Sequence, residues 1–405
     1  MTDAAHGSDE RPVEDRHEID PVAQETFTSA HEAYQELRGS CPVAHSQTYG
    51  GFWALLRYDD VVGVLRDIDT YTTSVQNVVP KFAFTGRRPP LHFDPPEHGA
   101  YRRIINRFFT AEKMAALEPE VRRFAADLLQ PLIDRGDGDI SVEYAQKFPA
   151  HVFARFFNLP IELSELIKQV SAEYVAAIQI VADEDVKRLS RRLYDIAEEV
   201  IAQRRENPMD ASEDLTSALI AGEYEGEPLP ADMVLGCVRQ LLVTGMVAPS
   251  VFIGNMFVHL SRDQQLQAQL RADPSLIPAA VEEFLRLYTP YRGMARTPRR
   301  DVTIRGQQIG KDEPIALVYT SANRDEAVFP DGENFILHRE NISKHIAFGA
   351  GVHSCPGAPL ARMMITHTLE EALSRTSHFE VNGDIEMAHW AEWGTNSVPL
   401  QLAPA

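Results

Sequence analysis

The chain has 405 residues, 44% of them hydrophobic, which is enough for a large core. A formal net charge of −20 argues against nucleic acid as a partner. Three scattered cysteines (Cys41, Cys237, Cys355) argue against a disulfide framework, and no stretch approaches the roughly 18 apolar residues of a membrane span.

The first twenty residues are polar and acidic and contain no signal-like apolar run, so residues 1–22 are expected to be a disordered tail and the protein cytoplasmic. Residues 30–39 read as a short amphipathic helix ending near Gly39. Residues 51–57 read as a strand and 58–67 as a helix. Residues 72–93 hold Pro80, Gly86, Pro89 and Pro90 with little periodicity, so they are expected to form a long loop, often a functional one. Helical periodicity then dominates over 98–108, 111–135, 145–157, 162–180, 184–206, 212–222, 230–261, 263–272 and 277–287. Short strands are expected near 302–305 and 314–318, then a helix from Cys355 to about 374. The segment 378–403 is strand-like, broken by Gly383, Gly394 and Pro399. The sum is a mainly α protein with small peripheral β-sheets. No Gly/Ser- or Pro-rich linker divides it, so residues 23–405 are expected to form one domain.

Cys355 sits in Phe348-Gly349-Ala350-Gly351-Val352-His353-Ser354-Cys355-Pro356-Gly357. Glycines let backbone turn tightly and approach a flat ligand. The residues that follow (Ala358, Leu360, Ala361, Met363, Met364) read as a helix start, where unpaired amides favour a thiolate. A lone thiolate in such a cradle suits an axial ligand of haem iron. A buried structural thiol is the plain alternative. A Cys–His nucleophile with His353 is disfavoured because residues i and i+2 of a tight loop seldom face each other. A zinc site lacks a second cysteine at ligand spacing.

Glu283 and Arg286 stand three apart on one face of a helical segment and are placed to pair. Adjacent Glu282 cannot face the same side. Alone this pair signals little, because exposed Glu-x-x-Arg pairs are common. Together with Phe335-x-x-x-Arg339 and the Cys355 loop it resembles the cytochrome P-450 family, in its soluble bacterial form. Phe-Gly-x-Gly-x-His-x-Cys-x-Gly fits residues 348–357 at every fixed position. The resemblance implies the P-450 fold, with haem b between a long central helix and the Cys-loop helix. It implies Cys355 as the axial iron ligand, with Phe348, Gly349 and Gly357 around the haem. A buried network of Glu283, Arg286 and Arg339 is implied beneath it. His98, Arg102, Arg296 and His353 match the family's contacts to the haem propionates. The spacing of His98 and Arg102, i and i+4, puts two donors on one helix face.

The family's central helix usually carries Ala/Gly-Gly-x-Asp/Glu-Thr over the haem. Here the aligned run is Thr244-Gly245-Met246-Val247-Ala248. Val247 replaces the acid and Ala248 the alcohol, and neither side chain donates a proton. Pro249 follows, so the Gly245 carbonyl loses its helical partner and a kink is expected, with two separate helices as the alternative. Substrate groups, ordered water, Thr244 or Ser250 are candidate replacements in proton delivery, although Thr often bonds its own i−4 carbonyl.

Expected substrate contacts are Val78, Phe82, Phe84, Tyr174, Ile178, Met246, Ala248, Tyr291, Met294 and Trp393, a mostly apolar set. They suit a compact terpenoid or a small aromatic. No arginine stands out in the middle of the central helix to hold a carboxylate, leaving Arg87, Arg88 and Arg292 for that role. The implied activity is a haem-thiolate monooxygenase that hydroxylates or O-dealkylates its substrate. It uses O2 and electrons from a separate ferredoxin with its reductase, docked near Lys344 and Arg362. Two alternatives are peroxide-driven oxidation and a haem-binding or sensor protein that does not turn over.

Overall fold

A computed structural model describes residues 19–20, 26–81, 86–180, 182–388 and 391–405. The described residues are 56% helical. Its axis is Ala231–Arg262, a 32-residue helix that runs unbroken through Pro249. The alternative of two helices is therefore excluded. Phe148–Phe156, Ile161–Gln179 and Asp183–Glu206 pack against this helix. Ala111–Arg135 packs along Ala358–Arg375.

Local chemistry sets several boundaries. The Thr110 hydroxyl accepts from the Lys113 amide and starts Ala111–Arg135. Gly136, at φ 78°, ends it in the left-handed region. The expected helix at 145–157 begins instead as a wide turn over Ile140–Ala145 and becomes α-helical at Phe148–Phe156. The expected 212–222 helix shortens to Leu215–Ile220, capped by the Asp214 carboxylate.

The largest sheet has five strands in the order Val43–Ser46, Phe52–Leu55, Ile315–Val318, Gly293–Pro298 and Tyr71–Thr72. Ile315 is in register with both Trp53 and Arg296. Strand alternation then turns Met294 and Arg296 to one side of the sheet. An apolar cluster of Leu55, Val61, Leu65, Ile315 and Leu317 fills the space beside this sheet. A second sheet joins Thr376–Val381, Pro399–Pro404 and Asp137–Asp139.

Ile19 packs into the main core, its carbonyl accepting from the Ser46 hydroxyl, and Asp20 accepts from the Tyr49 hydroxyl at 3.0 Å; the other residues of the expected tail lie outside the described residues. One sequence expectation needs correction. The central helix is, by length and composition, apolar enough to cross a membrane. Two thirds of its apolar window is buried inside the protein, which is how a core helix reads.

Candidate active site

The Cys355 loop is fixed by its backbone. The Cys355 amide donates to the Phe348 carbonyl at 2.8 Å. Gly349 and Gly351 both adopt φ 71°, and a Cβ on Gly351 would lie 2.7 Å from the Leu65 carbonyl oxygen. Only glycine permits this close approach of loop to sheet-side helix. Gly357 precedes the helix Ala358–Arg375, and a Cβ there would sit 3.8 Å from the Cys355 sulfur. Phe348 lies under the Arg362 guanidinium, 4.7 Å from its ring centre.

The Cys355 sulfur is accessible although it lies deep in the protein. Burial pushes its thiol up, against the Gly357 and Ala358 amides and the Arg102 and Arg362 charges. This corrects the expectation that the helix start alone favours a thiolate. Desolvation outweighs the amides here, and a bound metal is what reverses that balance.

Four basic residues gather beside the loop. The His98 and His353 rings meet at 4.4 Å between centroids, inclined at 60°. Arg102 Nη1 donates to the Ser354 carbonyl at 2.7 Å, and Arg296 Nη1 to the Ala295 carbonyl at 2.8 Å. His98 is held down to about 4 by burial first and then by the Arg102 charge. Nε2 of His98 and Nε2 of His353 are both buried without a hydrogen-bond partner among the described residues. Buried orphan donors beside two arginines need acceptors, and haem propionates are acceptors of the right charge. With an accessible sulfur next to a glycine cradle, these residues fit haem.

Beneath the loop, Glu283 is shared. Arg286 Nε and Nη2 bond its two oxygens at 2.8 and 2.7 Å, and Arg339 Nε adds a contact at 3.0 Å. The remaining guanidinium N–H groups reach the carbonyls of Asn323, Gly332, Asp331 and Asn334. All three side chains are buried. Glu282 points elsewhere, to Arg362 Nη2 and His345 Nε2, each at 2.9 Å. The Arg362 guanidinium is therefore engaged rather than free in the expected docking patch.

Across the site, the central helix presents Val247 to two adjoining hollows. Thr244 Oγ1 donates to the Gln240 carbonyl at 2.7 Å, and Ser250 Oγ to the Met246 carbonyl at 2.6 Å. Both hydroxyl protons are thus committed to their own helix. Gly245 permits close packing: a Cβ there would lie 1.5 Å from Phe153 Cζ. Pro249 leaves the Gly245 carbonyl without an i+4 donor. Ala248 is half-buried.

Val78, Tyr174, Tyr291 and Met294 line one hollow, and Met246 lines the adjoining one. Trp393 does not: it is wholly buried and stacks on Tyr288 at 5.8 Å in the main core. Ile178 is likewise wholly buried in the core. Phe82 and Phe84 lie outside the described residues. The lining surface is mostly apolar, as expected, but Arg239, Gln240, Arg88, His92, Asn77 and Glu392 also face the hollow that Val78 and Tyr174 line. Of these the sequence reading had considered only Arg88. Arg239 carried a readable signal, being the sole Asp, Glu, Lys or Arg between Asp232 and Arg262 in a long apolar helix. Glu392 is buried with Oε2 unpartnered among the described residues, and burial pushes it up to about 7. Arg292 is buried and reaches the Tyr34 hydroxyl at 3.2 Å. Arg87 is exposed and borders a separate hollow.

The likeness to known proteins extends over nearly the whole chain. A family model described as cytochrome P-450 matches residues 154–389. A cyclomarin C epoxidase of Salinispora arenicola (strain CNS-205) is 31% identical over 366 residues, covering 88% of this chain and 91% of that protein. A mycinamicin IV hydroxylase/epoxidase of Micromonospora griseorubida is 30% identical over 380 residues, covering 91% and 94%. The crystal structure of a cytochrome P-450 from Chondromyces apiculatus aligns with a TM-score of 0.85 at 31% identity, covering 96% of this chain and 99% of that one.

Proposed function

The chain belongs to the cytochrome P-450 family, and from that premise we propose a cytoplasmic monooxygenase whose haem b is ligated by Cys355 and anchored through His98, Arg102, Arg296 and His353. The observation that carries this reading is the convergence of those four basic residues on the Cys355 loop, with two orphaned imidazole nitrogens among them. Haem with a thiolate ligand supplies the activation of O2 for insertion of oxygen into a substrate C–H bond or for O-dealkylation. The protein positions and excludes. Residues 23–405 act as one catalytic unit.

Val247, Met246, Tyr291 and Met294 form the wall against which the substrate body lies. Tyr291 ties the two sides together, being within electrostatic reach of Glu392 on the cavity wall and of Cys355. That wall suits a compact terpenoid or aromatic body. Proton delivery is atypical. Val247 and Ala248 hold no exchangeable proton, and Thr244 and Ser250 direct theirs into helix carbonyls. The proposed source is ordered water held by the Gly245 carbonyl or by the substrate's own polar groups.

Electrons come from a ferredoxin and its reductase, reaching the face beside Lys344. The test is product formation from a substrate found by its spin-state shift, with a ferredoxin system and with peroxide alone. Turnover with the ferredoxin system supports the reading. Turnover with peroxide alone makes the protein a peroxygenase, and turnover with neither makes it a haem-binding protein.

A further inference from the structure

We propose that the substrate is an organic acid and that Arg239, assisted by Arg88, binds its carboxylate in the cavity beneath the central helix. This inference rests on the monooxygenase reading and names its substrate class.

Arg239 is 1% exposed, yet its Nε and Nη2 have no hydrogen-bond partner among the described residues. Those two nitrogens form one edge of the guanidinium fork, the edge that takes a carboxylate two-handed. Among the described residues, two arginines offer this edge to both oxygens of a carboxylate. Arg286 offers Nε and Nη2 to the two oxygens of Glu283, and Arg362 offers the same pair to Glu282. At Arg239 the edge is present and the protein supplies no carboxylate.

The surroundings place a second positive charge beside it. A Cβ on Gly236, one turn before Arg239, would lie 2.0 Å from the Arg87 carbonyl oxygen, so the 86–88 loop lies directly on the helix. Arg88 then faces the same cavity, its Nε also buried and unpartnered among the described residues. The groups acting most strongly on Arg239 are Arg88, which repels it, and Tyr174 and Tyr194, with Tyr174 also in hydrogen-bond contact. The Arg239 guanidinium lies against the Tyr174 and Tyr194 rings at 5.4 and 5.7 Å, which fixes its plane. A buried guanidinium beside a second, half-buried positive charge is costly when no counter-charge pairs with it. An anionic ligand removes that cost, and a neutral one leaves it in place.

Arg239 and Thr244 are five residues apart on one helix, about 7.5 Å along its axis. An acid held at Arg239 therefore extends past Tyr174 and Val243 towards Val247.

The test is isothermal titration of the ferric holoenzyme with octanoate and 3-phenylpropionate, each matched with its neutral amide. At least one acid is expected to bind about tenfold or more tightly than its amide. Arg239→Gln is expected to abolish the difference while leaving amide affinity unchanged, with Arg239→Lys intermediate. If Arg239→Gln does not fold, Arg88→Gln is expected to lower acid affinity and spare the amide. Equal binding of acid and amide, an acid preference that survives Arg239→Gln and Arg88→Gln, or no acid bound below about 1 mM, overturns the inference. A reduced, carbon-monoxide-bound spectrum of the same holoenzyme separates the two failures. A thiolate-shifted Soret band without acid preference sinks this inference alone, and its absence sinks the monooxygenase reading.

Discussion

His98, on the helix Glu97–Asn106, and His353, in the Cys355 loop, come from distant parts of the chain to meet ring to ring at 4.4 Å. Each leaves Nε2 buried and unpartnered among the described residues. The account assigns both nitrogens to haem propionates. His98→Phe or His353→Phe should keep the fold, since a ring of similar size remains, but should weaken haem retention several-fold. The haem-to-protein ratio and the rate of haem transfer to apomyoglobin measure this. Unchanged transfer rates in both variants contradict the assignment.

Among the described residues, Glu283 is the one acid shared by Arg286 and Arg339. Glu283→Gln leaves two buried guanidinium groups without counter-charge. The expected loss is about 3–5 kcal/mol, seen as a lower urea midpoint or as loss of soluble protein. A midpoint within error of the natural protein contradicts the buried network.

Glu282 gives a contrasting case with a pH signature. Burial pushes its carboxyl up, but hydrogen bonds from His345 and Arg362 and their charges hold it near about 2, against an ordinary 4.5. The folded value lies below the unfolded one, so the stabilisation is present above about pH 4.5 and is lost as pH falls towards 2. Its side chain is 26% exposed, which screens the pair. Glu282→Gln should cost about 1–3 kcal/mol at neutral pH and flatten the fall in stability across that acid window. Chemical denaturation at several pH values checks both.

Much of this architecture is legible in the sequence, and the gaps have physical reasons. Ala111–Arg135 matches its expected bounds because Thr110 and Gly136 mark both ends chemically. The strands Val43–Ser46 and Gly293–Pro298 escape because their buried and exposed positions alternate weakly. Trp393 misleads because a large aromatic reads alike in a core stack and on a pocket wall. Arg239 escapes for the opposite reason: a lone arginine reads as a solvated position until its helix is seen to be buried on that side.

The central helix supplies a fourth prediction. Ala248→Thr places an alcohol at a position that now holds none. If water or substrate already delivers the protons, product formed per reduced cofactor consumed should stay level or fall. A rise shows that the natural protein lacks an efficient route.

The central claim is that Cys355 ligates haem iron as a thiolate. The most direct measurement is the reduced, carbon-monoxide-bound spectrum of the purified protein and of Cys355→Ser. The account predicts a thiolate-shifted Soret band in the natural protein and its loss in the variant. An unshifted band in the natural protein, or a shifted band that survives Cys355→Ser, contradicts it.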